Sequence, residues 1–406
     1  MRRTFILLFL QFLLISSLNS QPSVTWAKQY SFPGEEYVMN HILLKNGELC
    51  IAGKTSGDVA GINAGKNDGF LIKLNVNGEI VWKKQFGSEK DEDILWSTID
   101  PDGNILITGS TTGSLAGNNA GKEDIFVVKY NNDGDLVWKK QYGSDSTDIA
   151  RGICTDKKGN IYLAGTTTGL LGKKANGKSD CFVIGLDSRG NKLFVTQFGT
   201  TEDDGSVSVI SSGKKIYTSG TTFGKLGDNN HGFIDIFLAC LDENGTIIKI
   251  TQEGSEGFDM PMDLAADNMG NFYVCGSTSG NLGGNQAGAG DCFLLKFDEN
   301  GKKTLADQWG TASHDGARCI SFSKNGEILV SGLVHLPPAD AFIRCYGKNM
   351  EHKWEKSIIG NNNDLNASGK SVSSGSDGSV VHVGLTSSSL YGKLNGVSDF
   401  YVIKLK

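Results

Sequence analysis

The sequence predicts an all-β protein, a seven-bladed β-propeller with four antiparallel strands in each blade. Two periodic markers and a complementary pair of chain ends predict it. A glycine closing an apolar run such as "ILITG" or "IYLAG" falls at Gly53, Gly109, Gly165, Gly220, Gly276, Gly332 and Gly384, with spacings of 56, 56, 55, 56, 56 and 52 residues. Trp26, Trp82, Trp138, Phe194 and Ile250 keep the same 56-residue beat, and Trp354 returns after a shortened unit. Repetition at a period near 50 is a sign of propellers and other arrays. The chain opens on "SVTWAKQY", which matches the fourth strand of a unit, and closes on "DFYVIKLK", which matches the third. The N-terminal strand is therefore expected to complete the last blade and close the ring, which hides sheet edges that would otherwise pair with other chains.

Each unit divides into the same four strands. In the unit from Glu92, "ILWSTID" and "NILITG" are joined by the turn "PDG", and a Gly-rich connection leads to "DIFVVKY". The turn "NNDGD" then leads to "LVWKKQY". The runs are β-branched and aromatic and are bounded by DG and NG pairs, which is hairpin chemistry. The 54 Gly against 6 Pro point the same way, and no segment holds a helical period. Residues 21–406 read as one propeller domain.

Residues 1–20 read as a secretory signal: Arg2 and Arg3, an apolar run from Phe5 to Ile15, then small polar residues to Ser20. A secreted or extracytoplasmic location is expected, with no membrane span. Without the two arginines the formal charge moves from −6 to −8 and no basic run remains, so nucleic acid is not an expected partner. N-x-[ST] sites stand at Asn244 and Asn366, usable only in a eukaryotic source. Eight cysteines (50, 154, 181, 240, 275, 292, 319 and 345) never form C-x-x-C, and most sit in apolar runs as buried thiols. Cys275 with Cys292 is the pair best placed for a disulfide.

The recurring G-x-T-x-G, D-x-F, D-G-x-x-x-W and Q-[FY]-G elements resemble the seven-bladed β-propeller repeat family of exported and cell-surface proteins. The resemblance covers about residues 24–406. It implies the fold and a repeat scaffold, and it brings no catalytic residues with it. Quinoprotein dehydrogenases share a G-x-x-x-W element, but they resemble an eight-bladed ring with a vicinal disulfide, and this chain has no adjacent cysteines.

Four motifs could carry chemistry. "GKKANGKS" at 172–179 matches the phosphate-loop pattern, but a strand follows it instead of the helix an anion site needs, and the lysine is replaced by Phe233, Ala289 and Val397 in other units. An aspartate recurs fifteen residues after the marker glycine (Asp68, Asp124, Asp180, Asp235, Asp291 and Asp399) and survives as Asp340 where unit six is cut short. These read as structural, capping turn N–H groups. Asp100, Asp102 and Asp133 lie in hairpin turns and lack the spaced ligands of a calcium loop. Finally, Glu36, Glu92, Asp148, Asp204, Asp259, Asp315 and Asp364 stand where each inner strand begins. They either ring the channel and attract cations or cap neighbouring backbone.

The six histidines are scattered and no H-E-x-x-H or G-x-S-x-G occurs. The sequence is thus read as an exported, non-catalytic, monomeric propeller whose acidic, Gly/Asn-rich loop face binds a protein or glycan. The shortened unit six would leave a notch in that face. No cofactor is expected beyond calcium on the acid ring. The alternative is a propeller enzyme, hydrolase or quinoprotein-like, with Arg151 or Arg318 among carboxylates in a deep central channel.

Overall fold

The computed structural model describes residues 21–335, 340–358 and 367–406. All its regular elements are strands, grouped into seven four-stranded antiparallel sheets. The first blade runs outward through β2 (Glu36–Leu43), β3 (Leu49–Thr55), β4 (Asp68–Leu74) and β5 (Ile80–Phe86). The last contains β26 (Ala367–Ser374), β27 (Val380–Thr386) and β28 (Asp399–Leu405). Its fourth strand is β1 (Val24–Tyr30), which pairs antiparallel with β28 and closes the ring as the chain ends predicted.

The marker glycines have a packing cause. Gly53 lies opposite Phe70 in the register of β3 and β4, and a methyl on it would sit 2.5 Å from the Tyr37 carbonyl oxygen and 2.7 Å from the Phe70 ring. Only a bare α-carbon admits the ring there. These phenylalanines (Phe70, Phe126, Phe182, Phe237, Phe293 and Phe342) are wholly buried, as is Tyr401 at the corresponding place in the last blade. They help fill seven apolar clusters, each built mainly from two neighbouring sheets; one joins Ile125 and Val127 to Leu163 and Phe182. Burial of such a side chain stabilises by about 1.5–3 kcal/mol.

Third strands are covered on both faces, so "DIFVVKY" is buried at every residue and reads as a continuous apolar run. Outer strands are half exposed, and their aromatic residues stitch neighbouring blades. Trp26 Nε1 donates to the Val76 carbonyl at 3.1 Å, and the Tyr30 hydroxyl donates to the Gly78 carbonyl at 2.6 Å. In the "DPDG" turn, Asp100 Oδ1 accepts from the Asp102 and Asn104 N–H groups, while Gly103 takes φ +86°, a conformation glycine adopts without steric cost. Burial raises the Asp100 carboxyl, but Lys129 at 2.7 Å and Asn104 outweigh it and hold it below the usual range.

All eight cysteines are free thiols. The Cys275–Cys292 pairing is corrected by register: Cys275 faces Leu294 and Cys292 faces Ser277, and burial raises both thiols. The secretory segment, the cut connection of unit six at 336–339, Asp364 and Asn366 lie outside the described residues. Asn244 is exposed in a turn, its N–H bonded to Asp242 Oδ1 at 2.9 Å.

Candidate site at the channel mouth

One face of the ring carries both the Gly-rich connections and the links between blades. They meet in short parallel bridges such as Asn67 with Asp91 and Ser179 with Asp203. Beneath them the recurring Asp, Gln and Gly form one unit. Asp180 Oδ2 accepts from the Asn176 N–H at 2.8 Å and from Gln197 Nε2 at 2.7 Å. Gln197 Oε1 in turn accepts from the N–H groups of Leu171 and Gly172. A methyl on Gly199 would lie 2.4 Å from Asp180 Oδ1 and 3.0 Å from Asp204 Oδ2, so the glycine of Q-[FY]-G seats these carboxylates. Gln29, Gln85, Gln141, Gln252 and Gln308 repeat the bond to Asp399, Asp68, Asp124, Asp235 and Asp291. In blade six the place is Ser357, opposite Phe342, and the connection a glutamine would hold is the one cut short. Asp340 keeps its position there, with its carboxyl raised by burial.

The carboxylates at the inner-strand entries turn into the blades. Glu36, Glu92, Asp148, Asp204, Asp259 and Asp315 are each at most 4 % exposed and accept from the backbone N–H groups of Phe32, Ser88, Ser144, Thr200, Ser255 and Thr311. Of the two readings, these six carboxylates follow the capping one: at a strand entry the carboxylate closes its own turn. Register also assigns Ala367, opposite Thr386, to the seventh place, as Glu36 is opposite Thr55. Burial pushes the Glu36 carboxyl up to about 7 against the Phe32 N–H, with Asp399 adding to the rise. The "GKKANGKS" loop runs into the strand Asp180–Leu186, and Lys178 forms an exposed ion pair with Glu202 at 2.8 Å.

What faces the axis is a different set. Every inner strand carries a β-bulge, and the skipped residues are Met39, Leu95, Arg151, Val207, Met262, Arg318 and Lys370. All seven line a cavity of about 410 Å³ that draws on every blade. Bulges re-aim side chains and concentrate at functional sites. Four of the seven are apolar and three are cationic, and Asp203 and Asp204 are the acids of the same lining. Lys370 Nζ donates to the Tyr37 hydroxyl at 2.8 Å, and Arg318 Nε is buried without a partner. Burial raises the Tyr37 phenol, but Lys370, Arg318 and Lys54 together bring it below its ordinary value. Arg151 and Arg318 were legible as channel candidates; Lys370 and Tyr37 were not, although the bulge position lies fourteen residues before the marker glycine in six units.

Beside the mouth the repeat breaks a second time. Phe223, Phe233 and Phe258 are 37 %, 61 % and 48 % exposed, with ring centroids 5.9 and 5.1 Å apart in edge-on contacts. The equivalent places in blade three hold Thr168, Lys178 and Asp203. Phe223 and the exposed Met260 line the cavity itself.

Fold and loop chemistry define a seven-bladed propeller assembled from tandem four-stranded repeats. Residues 137–172 match the family described as Beta-propeller repeat. The chain is 24% identical over 169 residues to the Regulatory protein FlaEY of Caulobacter vibrioides, an alignment covering 37% of this chain and 18% of that protein. The chain thus matches less than a fifth of that relative's length. Among solved structures, a polysaccharide lyase, an ulvan lyase bound to a glucuronate–rhamnose sulfate unit, is similar in fold at a TM-score of 0.55 and 13% identity, covering 87% of this chain and 93% of that one. A chain from the Drosophila Plexin A–Semaphorin 1b complex is similar at 0.51 and 10% identity, covering 95% and 87%. At these identities the likeness is one of fold.

Proposed function

We propose that this protein is an exported binding propeller that seats a segment of a protein partner at the channel mouth. The observation that carries this reading is the Phe223–Phe233–Phe258 cluster, an exposed aromatic patch where blade three holds Thr168, Lys178 and Asp203. Clustered exposed aromatics beside a cavity are costly to solvate and mark interaction surfaces. Export rests on residues 1–20, and no helix among the described residues is long and apolar enough to cross a membrane. A peptide-display selection and a glycan array, both run on the wild type and on Phe233→Lys, test the reading. Selected peptides with an aromatic or aliphatic anchor, lost in the variant, are expected. Binding to glycans alone would refute it.

One observation favours a second reading, a propeller enzyme. Tyr37 is a phenol lowered by flanking cations, the environment that prepares a general base. The polysaccharide lyase among the structural neighbours makes uronate-bearing polysaccharides the class to try. Formation of unsaturated uronate products that is lost in Tyr37→Phe would establish this reading over the first.

A further inference from the structure

Three lysines of this chain are buried to a similar depth, and they are not treated alike. Lys73, at 5 % exposure, pairs with Glu48 at 2.8 Å, and Lys129, at 6 %, pairs with Asp100 at 2.7 Å. Lys370, at 7 %, faces a neutral phenol and a second cation, Arg318. Among the described residues no carboxylate lies within ion-pair distance of Lys370, Arg318 or Arg151. Arg151 is exposed and Arg318 half-buried, but a cation buried as deeply as Lys370 without a counter-charge destabilises the fold, so its place beside Arg318 needs a reason beyond stability.

The cavity supplies one. The three cations come from blades three, six and seven through the same bulge position, which aims each of them at the axis. Arg318 keeps a buried, unpartnered Nε, and guanidinium is the group best shaped for a planar two-oxygen anion. The remaining bulge residues, from blades one, two, four and five, are apolar and flank the cations around the ring, and Trp96 is there to stack or report. Lys54, the nearest further cation, is already held by Asp93 at 2.9 Å.

We infer that Arg151, Arg318 and Lys370 form a carboxylate-binding subsite, which takes an acidic side chain or C-terminal carboxylate of a peptide whose apolar flank lies on the Met39–Leu95–Val207–Met262 wall. This rests on the partner-binding reading and names the chemistry of the segment bound. A peptide is favoured over a sugar because the wall offers methyl and thioether groups, which leave sugar hydroxyls without partners.

The test is titration of the full protein with N-acetyl-phenylalanyl-glutamate, with its carboxylate-free glutamine counterpart (N-acetyl-phenylalanyl-glutamine amide) and with a sulfated oligosaccharide, followed by calorimetry and tryptophan fluorescence. The glutamate peptide is expected to bind at least tenfold more tightly than the glutamine one. Arg318→Gln and Lys370→Met should each weaken it about tenfold or more, and higher salt should weaken it further. Arg318→Lys, which keeps the charge, should retain part of the affinity, and thermal melts establish that each variant is folded. Phe233→Lys should reduce binding of longer selected peptides while leaving the dipeptide carboxylate bound, so failure of the aromatic patch and failure of the subsite give different patterns. Equal affinity for the glutamate and glutamine peptides, or tighter binding of the sulfated oligosaccharide, overturns the assignment.

Discussion

Replacing Gln197 with leucine should unfasten a whole blade connection. The carboxamide makes four bonds there: Oε1 accepts from Leu171 N–H at 3.0 Å and Gly172 N–H at 2.8 Å, and Nε2 donates to the Gly169 carbonyl at 2.9 Å and to Asp180 Oδ2 at 2.7 Å. Leucine keeps the volume and removes all four. A neutral bond contributes about 1 kcal/mol net and one to a carboxylate about 2 kcal/mol. Gln197 is only partly buried, so water can take over some of the freed groups, and a loss of about 3 kcal/mol is expected. That is roughly a hundredfold in the folded-to-unfolded ratio. A urea melt should show a lower midpoint at unchanged slope. Hydrogen exchange should show lost protection in the amides of Leu171, Gly172 and Asn176, whose acceptors are this glutamine and the aspartate it holds. The internal control is Ser357→Gln in blade six, where the glutamine would have a shortened connection to hold; it should change stability by no more than about 0.5 kcal/mol. A loss below about 1 kcal/mol for Gln197→Leu, with loop protection intact, would refute the clamp.

The remaining expectations concern protons, cations and thiols. His41 and His382 are buried and lowered to about 3 by desolvation, so their contribution to stability is full above the unfolded value of 6.5 and is lost as pH falls from there toward 3. Each should remove about 2 kcal/mol by about pH 5, and His382→Phe should flatten that limb in urea melts across the range. Glu36, raised to about 7, and Asp263, raised to about 6, act oppositely through burial: their contribution is present at low pH and lost as pH rises through those values, so Asp263→Asn should steepen the acid loss. Calcium is expected to leave the melting temperature unchanged, because the ring carboxylates already accept from backbone N–H groups; a clear rise would return them to a cation role. Ellman's reagent should find the buried thiols, Cys50 and Cys345 among them, unreactive until urea unfolds the chain. Lys178→Ala should leave stability within about 0.5 kcal/mol, and ATP should bind neither form.

The architecture was legible because its causes repeat. A phenylalanine ring on a bare glycine, an aspartate under a loop and a tryptophan reaching the next blade's turn are the same local events in many blades, so they print a period onto the sequence. The direction of a side chain is harder to read. The strand-entry acids could be read as ringing the channel or as capping backbone, and four residues upstream stands the backbone N–H that turns them inward. Nothing in the residue string distinguishes a carboxylate pointing at solvent from one closing its own turn. Lys370 was obscured for a related reason: the bulge shifts the side-chain alternation by one, so a strict period of two assigns it to the wrong face.

That contrast separates scaffold from site. Positions that make blades recur with little change, such as the glutamine in six blades and the marker glycine in seven. The bulge position recurs in geometry but not in chemistry: it is methionine, leucine, arginine, valine, methionine, arginine and lysine in turn. A position that packed against its own blade would be held to nearly one residue type by packing density, as the aromatic opposite each marker glycine is, phenylalanine in six blades and tyrosine in the last. Freedom at a place aimed at one shared cavity means that the seven residues are not held by their own sheets, which leaves them available to the proposed occupant of the axis. The Phe223–Phe233–Phe258 patch departs from the repeat on the same face and adjoins the same cavity. Two independent departures meeting at one mouth are what a propeller with a single asymmetric ligand requires, since a ligand without sevenfold symmetry can be matched only by blades that cease to be alike.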